Sequence, residues 1–165
     1  MSQWRLQQEL LPSLLDRLTD LEPKRREEAP QSPAQAMRQI KIALRRDLEW
    51  LLNTRRRIDR PPDWCKEVQR SLFDFGLPDL SGFALGNERD LGRLLGLIEN
   101  TVEIFEPRLK NVVVSVEPSP TATRRLKFQI EALLLVEPAP ERILFDTTLE
   151  LASGEYKVEG DAGAR

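Results

Sequence analysis

Glu106 and Arg108 flank Pro107 in the run Phe105-Glu106-Pro107-Arg108-Leu109, and theirs are the residue types and spacing that point most directly to chemistry. Pro107 fixes its own φ and drives Glu106 out of the helical region, so an acid and a base are presented at a rigid corner. Arg108 brings a planar donor fork suited to carboxylates or backbone carbonyls, and Glu106 either accepts from a partner's donor or orients that fork. The residues alone leave two readings: a helix-ending corner with an internal ion pair, or a contact for another protein. A third reading is catalytic, with Glu106 as the general acid of a carboxylate-pair glycosidase. That chemistry needs a second carboxylate about 5 to 9.5 Å away and surroundings that keep the acid protonated. Arg108 works against it, because a neighbouring cation favours the ionised carboxylate.

The chain contains no histidine, which closes Ser-His-Asp and Cys-His catalysis and most catalytic zinc sites. No catalytic residue, cofactor or metal is expected. Cys65 is the only cysteine; it reads as a buried or half-buried small hydrophobe in a reducing compartment. Arg55, Arg56 and Arg57 end a stretch, residues 38 to 60, that holds eight Lys or Arg against three Asp or Glu. A nucleic-acid-binding module is therefore a further alternative. The net charge of −2 and the lack of zinc, RNP or P-loop patterns favour a solvated basic face.

These groups need elements to hold them. At 165 residues the chain can bury one core, and 40% hydrophobic with 32% charged residues is an ordinary soluble mix. No apolar run reaches the roughly 20 residues of a membrane span, and the first residues lack the order of a signal peptide, so a cytoplasmic protein is expected. Four segments follow from composition: a leader helix over 1–21, a flexible linker over 22–32, a domain over 33–160 and a disordered tail over 161–165. In the leader, Pro12 and Ser13 precede Leu14, Leu15, Leu18 and Leu21. So short a helix is marginal alone and must lie on its own domain or on a partner.

The domain opens with a helix from about Pro33 to Thr54, with Ser32 as cap, Pro33 in the first turn and Gln35 completing a capping box. Met37, Ile40, Leu44, Leu48 and Leu51 form its buried stripe. Asn53 and Thr54 bond local backbone and end the helix, Arg55 to Arg57 suit its negative end, and one of these arginines is available to a partner carboxylate. Val68 to Phe75 fits either a strand or a helical turn. Asn87 caps a second helix whose stripe is Leu91, Leu94, Leu95, Ile98, Val102 and Phe105. Gly92 and Gly96 have the spacing of a close contact, read as tight packing on the sheet rather than helix dimerisation.

Past Arg108 the period becomes two. Val112, Val114 and Val116 mark one strand, Leu126 to Leu134 a second, Ile143 to Leu151 a third, and Ser153-Gly154 turns into a short fourth near Tyr156 and Val158. Short turns make the strands antiparallel. The expected fold is α+β, with two main helices packed on an antiparallel β-meander of three to four strands and an extra short N-terminal helix.

Four segments, in order, carry a resemblance: Pro12-Ser13-Leu14-Leu15-Asp16-Arg17-Leu18, Leu51-Leu52-Asn53-Thr54-Arg55, Phe75-Gly76-Leu77-Pro78-Asp79-Leu80 and Phe105-Glu106-Pro107-Arg108-Leu109. Together they resemble the TssE family of type VI secretion baseplate subunits. The last is similar to the Glu-Pro-Arg signature shared with phage tail wedge proteins once labelled lysozyme-like, a label that would make the catalytic alternative a peptidoglycan glycosidase with Glu106 as general acid. Residues 110–165 agree only in strand pattern. The resemblance implies a non-enzymatic structural subunit of a contractile injection system, in a cytoplasmic baseplate docked at the inner membrane. Its implied partners are TssF, TssG and TssK, together with the sheath subunits TssB and TssC, whose assembly it would start. It also turns the reading of Glu106, Pro107 and Arg108 toward a partner contact, with Arg55, Leu14 and Leu18 as further partner-binding residues. The sheath contact would be strand addition at an edge of the meander.

Overall fold

A computed structural model describes residues 13, 16, 18, 19, 32–59, 61–80, 83, 87–117, 125–136 and 139–161. The leader expectation falls largely outside these residues, and Leu14 is not among them; Asp16 and Leu18 have helical backbone. Most of the 22–32 linker and residues 162–165 also lie outside.

Helix α1, Pro33–Asn53, begins as its sequence dictates. Gln35 N donates to Ser32 Oγ at 3.3 Å and Ser32 N to Gln35 Oε1 at 2.9 Å, which satisfies two amino-terminal donors reciprocally. Thr54 closes it, its Oγ donating to Trp50 O at 2.7 Å. Ile40, Leu44, Leu48 and Leu51 are buried along one face, joined by Ala36, Ala43 and Leu52. The ambiguous stretch after it contains no strand: it forms a four-residue helix α2, Lys66–Gln69, and a 3-10 turn, Leu72–Asp74. Both are too short to show a period.

Helix α3, Glu88–Phe105, starts where Asn87 Oδ1 accepts from Arg89 N at 3.0 Å. It buries Leu94, Ile98, Thr101 and Val102. Gly92 and Gly96 correct the expectation of tight packing on the sheet. Both are exposed, and a Cβ on either would meet nothing within 4 Å, because they fall on the side of the helix opposite its buried stripe.

The sheet is a meander of four antiparallel strands in the order β1-β2-β3-β4: β1 Leu109–Val116, β2 Arg125–Leu134, β3 Glu141–Glu150 and β4 Glu155–Asp161. Phe128, Ile130, Ala132 and Leu134 of β2 and Ile143, Phe145, Thr147 and Leu149 of β3 face the helices. Leu151, expected to end the third strand's inward face, instead lies exposed in the turn into β4. Gly154 makes that turn with φ 71°, its N–H bonding Glu150 O at 2.8 Å. Asn111, with φ 52°, sits where the β1–β2 register shifts between Lys110 and Val113. The helices share one face of the sheet, α1 along β4 and α3 along β1, so the core lies between two layers. This agrees with the α+β fold expected from the sequence.

Candidate functional site

Glu106 is the residue at which α3 stops. Its N–H still bonds Val102 O at 2.8 Å, but its backbone leaves the helix, as the following proline demands. The side chain turns inward and is only 6% exposed. Arg108, two residues on, wraps back to it: Nε meets Oε1 at 2.6 Å and Nη2 meets Oε2 at 2.5 Å. Arg108 N also donates to Oε1 at 3.3 Å. A buried carboxylate is thus met by a two-pronged cation, the pairing that makes its burial tolerable.

The pair is not isolated. Nη2 of Arg108 also reaches Asp47 Oδ2 on α1 at 2.7 Å, and Asp47 Oδ1 accepts from Arg46 Nη2 at 2.8 Å and Nε at 3.1 Å. Arg46 Nη1 in turn meets Asp16 Oδ1 at 2.7 Å, and Asp16 Oδ2 accepts from Ser13 Oγ at 2.5 Å. Charges therefore alternate from Glu106 through Arg108, Asp47 and Arg46 to Asp16. The Arg108 guanidinium is pushed further toward its charged form, chiefly by its bond to Glu106 and with help from Asp47, against the opposing effect of burial. Asp16 is held below the ordinary carboxylate value, first by the bond from Arg46 and then by Ser13.

Beside the corner is a groove of about 540 Å³ bordered by Ser13, Asp47, Trp50, Phe75, Phe105 and the Glu106-Pro107-Arg108 segment. Trp50 is 68% exposed and Leu135, also on the groove, 49%. Both oxygens of Glu106 accept from Arg108, an arrangement made for an ionised acid rather than a proton donor. Among the described residues no group of three or more His, Cys, Asp or Glu could hold a metal ion.

The remaining sequence candidates lie elsewhere. Arg55 is exposed, and its backbone bridges Leu77 in parallel. Arg56 pairs with Asp74, Nε to Oδ1 at 3.4 Å, and Arg57 lies 4.9 Å above the Phe73 ring. Leu18 is exposed. The corner and Arg55 are thus separate features, although Gly76 and Leu77 tie the arginine segment to the central loop through Leu77 N to Thr54 O at 2.9 Å and Arg56 N to Leu77 O at 2.8 Å.

Sequence reasoning missed three things. Asp47, which nothing in the sequence singles out, joins both halves of the charge chain. Ile58, Trp64 and Leu72 are exposed apolar side chains around the α2 region, of the kind that marks contact with another protein when clustered. The sheet edges are capped from the helices: Asn53 brackets Tyr156, accepting from its N at 2.8 Å and donating to its O at 2.7 Å, Glu49 accepts from Val158 N at 3.1 Å, and Glu99 accepts from Val114 N at 2.8 Å.

A family model described as baseplate wedge protein gp25 matches residues 38–139. No curated protein and no solved structure matches the chain. The matched span runs from the second turn of α1 through α3 and the Glu106–Arg108 corner to the end of β2, and so contains most of the site just described. Covering more than half of the sequence, it establishes that the chain belongs to the baseplate wedge protein gp25 family, the family of TssE.

Proposed function

We propose that this protein is a structural wedge subunit of a type VI secretion baseplate that binds the baseplate subunits TssF, TssG and TssK and starts assembly of the TssB–TssC sheath. The family is structural, and the observation that carries the reading further is the corner itself. Glu106, Pro107 and Arg108 are locked in one geometry on the rim of a groove with an exposed tryptophan, which is how a surface is prepared for a partner rather than for a substrate. Arg55, Leu14 and Leu18 belong to the same reading as secondary contacts. The protein acts in the cytoplasm, with the baseplate docked at the inner membrane; among the described residues no helix is long and apolar enough to cross a membrane.

Sheath initiation would proceed by strand addition to an edge of the meander, and the edge caps set its terms. At β4, Asn53 and Glu49 already bond the outward groups of Tyr156 and Val158. At β1 a single carboxylate, Glu99, holds Val114 N–H. An incoming strand displaces one acceptor at β1 but several bonds at β4, which favours β1.

The test is co-purification with TssF and TssG. Glu106→Gln combined with Arg108→Gln removes the ion pair without stranding either charge, so the fold persists. Loss of co-purification from a variant that still unfolds cooperatively is expected. Wild-type yield of the complex would overturn the partner role of the corner.

A further inference from the structure

The basic stretch that begins in α1 divides into cations that are engaged and cations that are not. Arg46 is held by Asp16 and Asp47, Arg56 by Asp74, and Arg57 lies over the Phe73 ring. Arg38, Arg45 and Arg55 are exposed and meet no carboxylate among the described residues. The first two border a second groove, of about 530 Å³, between the amino-terminal half of α1 and Gly160 of β4. We propose that this groove is a docking site for an acidic amphipathic helix of another protein, which lays aliphatic side chains along it and sets carboxylates against Arg38 and Arg45.

Three observations support the site and its occupant. Ala34, Arg38, Lys41 and Arg45 recur at steps of four, three and four, so they lie in one line about 16 Å long. Carboxylates repeated at the same steps on a second helix meet that line in register. The groove is also one-signed: it is lined by Arg38, Lys41 and Arg45, and by no acidic residue among those described. Lys41 is partly spoken for, because its Nζ meets Glu141 Oε1 at 2.6 Å, which leaves the two arginines as the main receptors. Their planar donor forks suit carboxylates. Between the cations are apolar side chains, with Met37 packed against the core and Ile42 55% exposed. Cations flanking an apolar strip are the complement of a helix with an acidic flank and an aliphatic face.

Other anions fit less well. A bilayer surface is flat and does not follow a groove, and a chain of net charge −2 is a poor ligand for duplex nucleic acid. The site does not rest on the wedge reading, and its test uses no baseplate subunit.

The experiment titrates the full-length chain into a labelled helical peptide of about 16 residues, built on Ala and Leu with Glu at steps of four, three and four, and follows fluorescence anisotropy. Replacing each Glu of the peptide by Gln is expected to weaken binding about fivefold to tenfold, since an exposed charge pair is worth up to about fivefold. Arg38→Gln combined with Arg45→Gln is expected to weaken it to the same extent, and added salt to weaken the wild type toward both. A Cβ on Gly160 would meet nothing within 4 Å, so Gly160→Phe has room to place its ring in the groove and is expected to abolish binding. Ile42→Ser removes exposed apolar surface without threatening the fold and is expected to weaken binding, which keeps the apolar half of the site testable if Gly160→Phe unfolds. Lys127→Gln, an exposed cation of β2 outside the groove, is expected to bind as the wild type does. No binding by the wild type, equal binding of the Gln peptide, or unweakened binding by the double arginine variant would overturn the site. Duplex DNA or phosphatidylglycerol vesicles that bind more tightly than the peptide, and at the same two arginines, would overturn the helix as its occupant.

Discussion

Asp47 on α1 and Arg108, just ahead of β1, stand 61 positions apart in the sequence and meet at 2.7 Å. One aspartate thereby ties the middle of the first long helix to the end of the second. Its other oxygen is held by Arg46, so the corner is braced from α1 as well as from Glu106. The consequence for stability is asymmetric, because Glu106 is buried and cannot regain water without opening the corner.

Arg108→Ala leaves that carboxylate without its counter-charge. A fully buried pair broken from one side costs about 3–5 kcal/mol; the guanidinium here retains some solvent contact, which screens it, and a loss of about 2 kcal/mol is expected. The Glu106→Gln/Arg108→Gln double variant, with no stranded charge, is expected to lose less, about 1 kcal/mol. Urea unfolding of both variants checks the order. Equal losses would mean that the corner is held by its backbone and proline rather than by the pair.

Gly76 is required by a close approach. Its φ is 101°, and a Cβ there would stand 2.2 Å from Thr54 O. That carbonyl is also the acceptor for Leu77 N, so it cannot retreat without losing a bond. Gly76→Ala is expected to cost about 3 kcal/mol through strain and displacement together, lowering the melting temperature by roughly 10 °C. Thermal unfolding measures this, and a shift below a few degrees would show that the loop relaxes freely.

What the sequence displayed and what it hid divide along a physical line. Both long helices, their caps at Ser32 and Asn87 and the four strands were legible, because each is written in local periodicity and capping chemistry. Lys66–Gln69 and Leu72–Asp74 were not, since one helical turn carries no period. The corner at Glu106 was legible through Pro107, whereas the bond to Asp47 was not: a charge on a helix face looks the same whether it meets water or an arginine from a distant segment. Gly92 and Gly96 suggested a contact that their position on the outer side of α3 does not make. Asn53 was read as a helix end, and it does donate to Glu49 O at 2.9 Å, but the same amide also brackets Tyr156 from across the chain. Long-range pairings of this kind follow from topology.

Tyr156 and Thr147 carry hydroxyls buried under the helices with no hydrogen-bond partner among the described residues. Burial alone pushes the Tyr156 phenol well above its ordinary pKa, as expected of a hydroxyl that nothing solvates. The ring earns its place through packing, edge-on to Phe128 with centroids 6.1 Å apart. Tyr156→Phe keeps that ring and Thr147→Val keeps its shape, so each is expected to leave stability unchanged or raise it by about 1 kcal/mol. Chemical denaturation settles the sign. A loss of comparable size would mean that each hydroxyl is satisfied by an ordered water.

The edge caps make the last prediction the most specific. Val114 N–H points away from β2 and is taken by Glu99, whose carboxylate reaches round from α3 at 2.8 Å. An uncapped outward donor on an edge strand is the group that recruits a further strand. Glu99→Ala should therefore do two things at once: cost about 1 kcal/mol by leaving the donor to water, and make β1 a better acceptor for pairing. Faster exchange of the Val114 amide reports the first effect, and concentration-dependent association in light scattering the second. Glu99→Gln retains an acceptor oxygen and should remain close to wild type in both. Asn53→Ala opens the opposite edge, but Glu49 still holds Val158 N–H there, so the stability loss should appear without new association. If Asn53→Ala associates and Glu99→Ala does not, β4 rather than β1 is the edge that takes a strand.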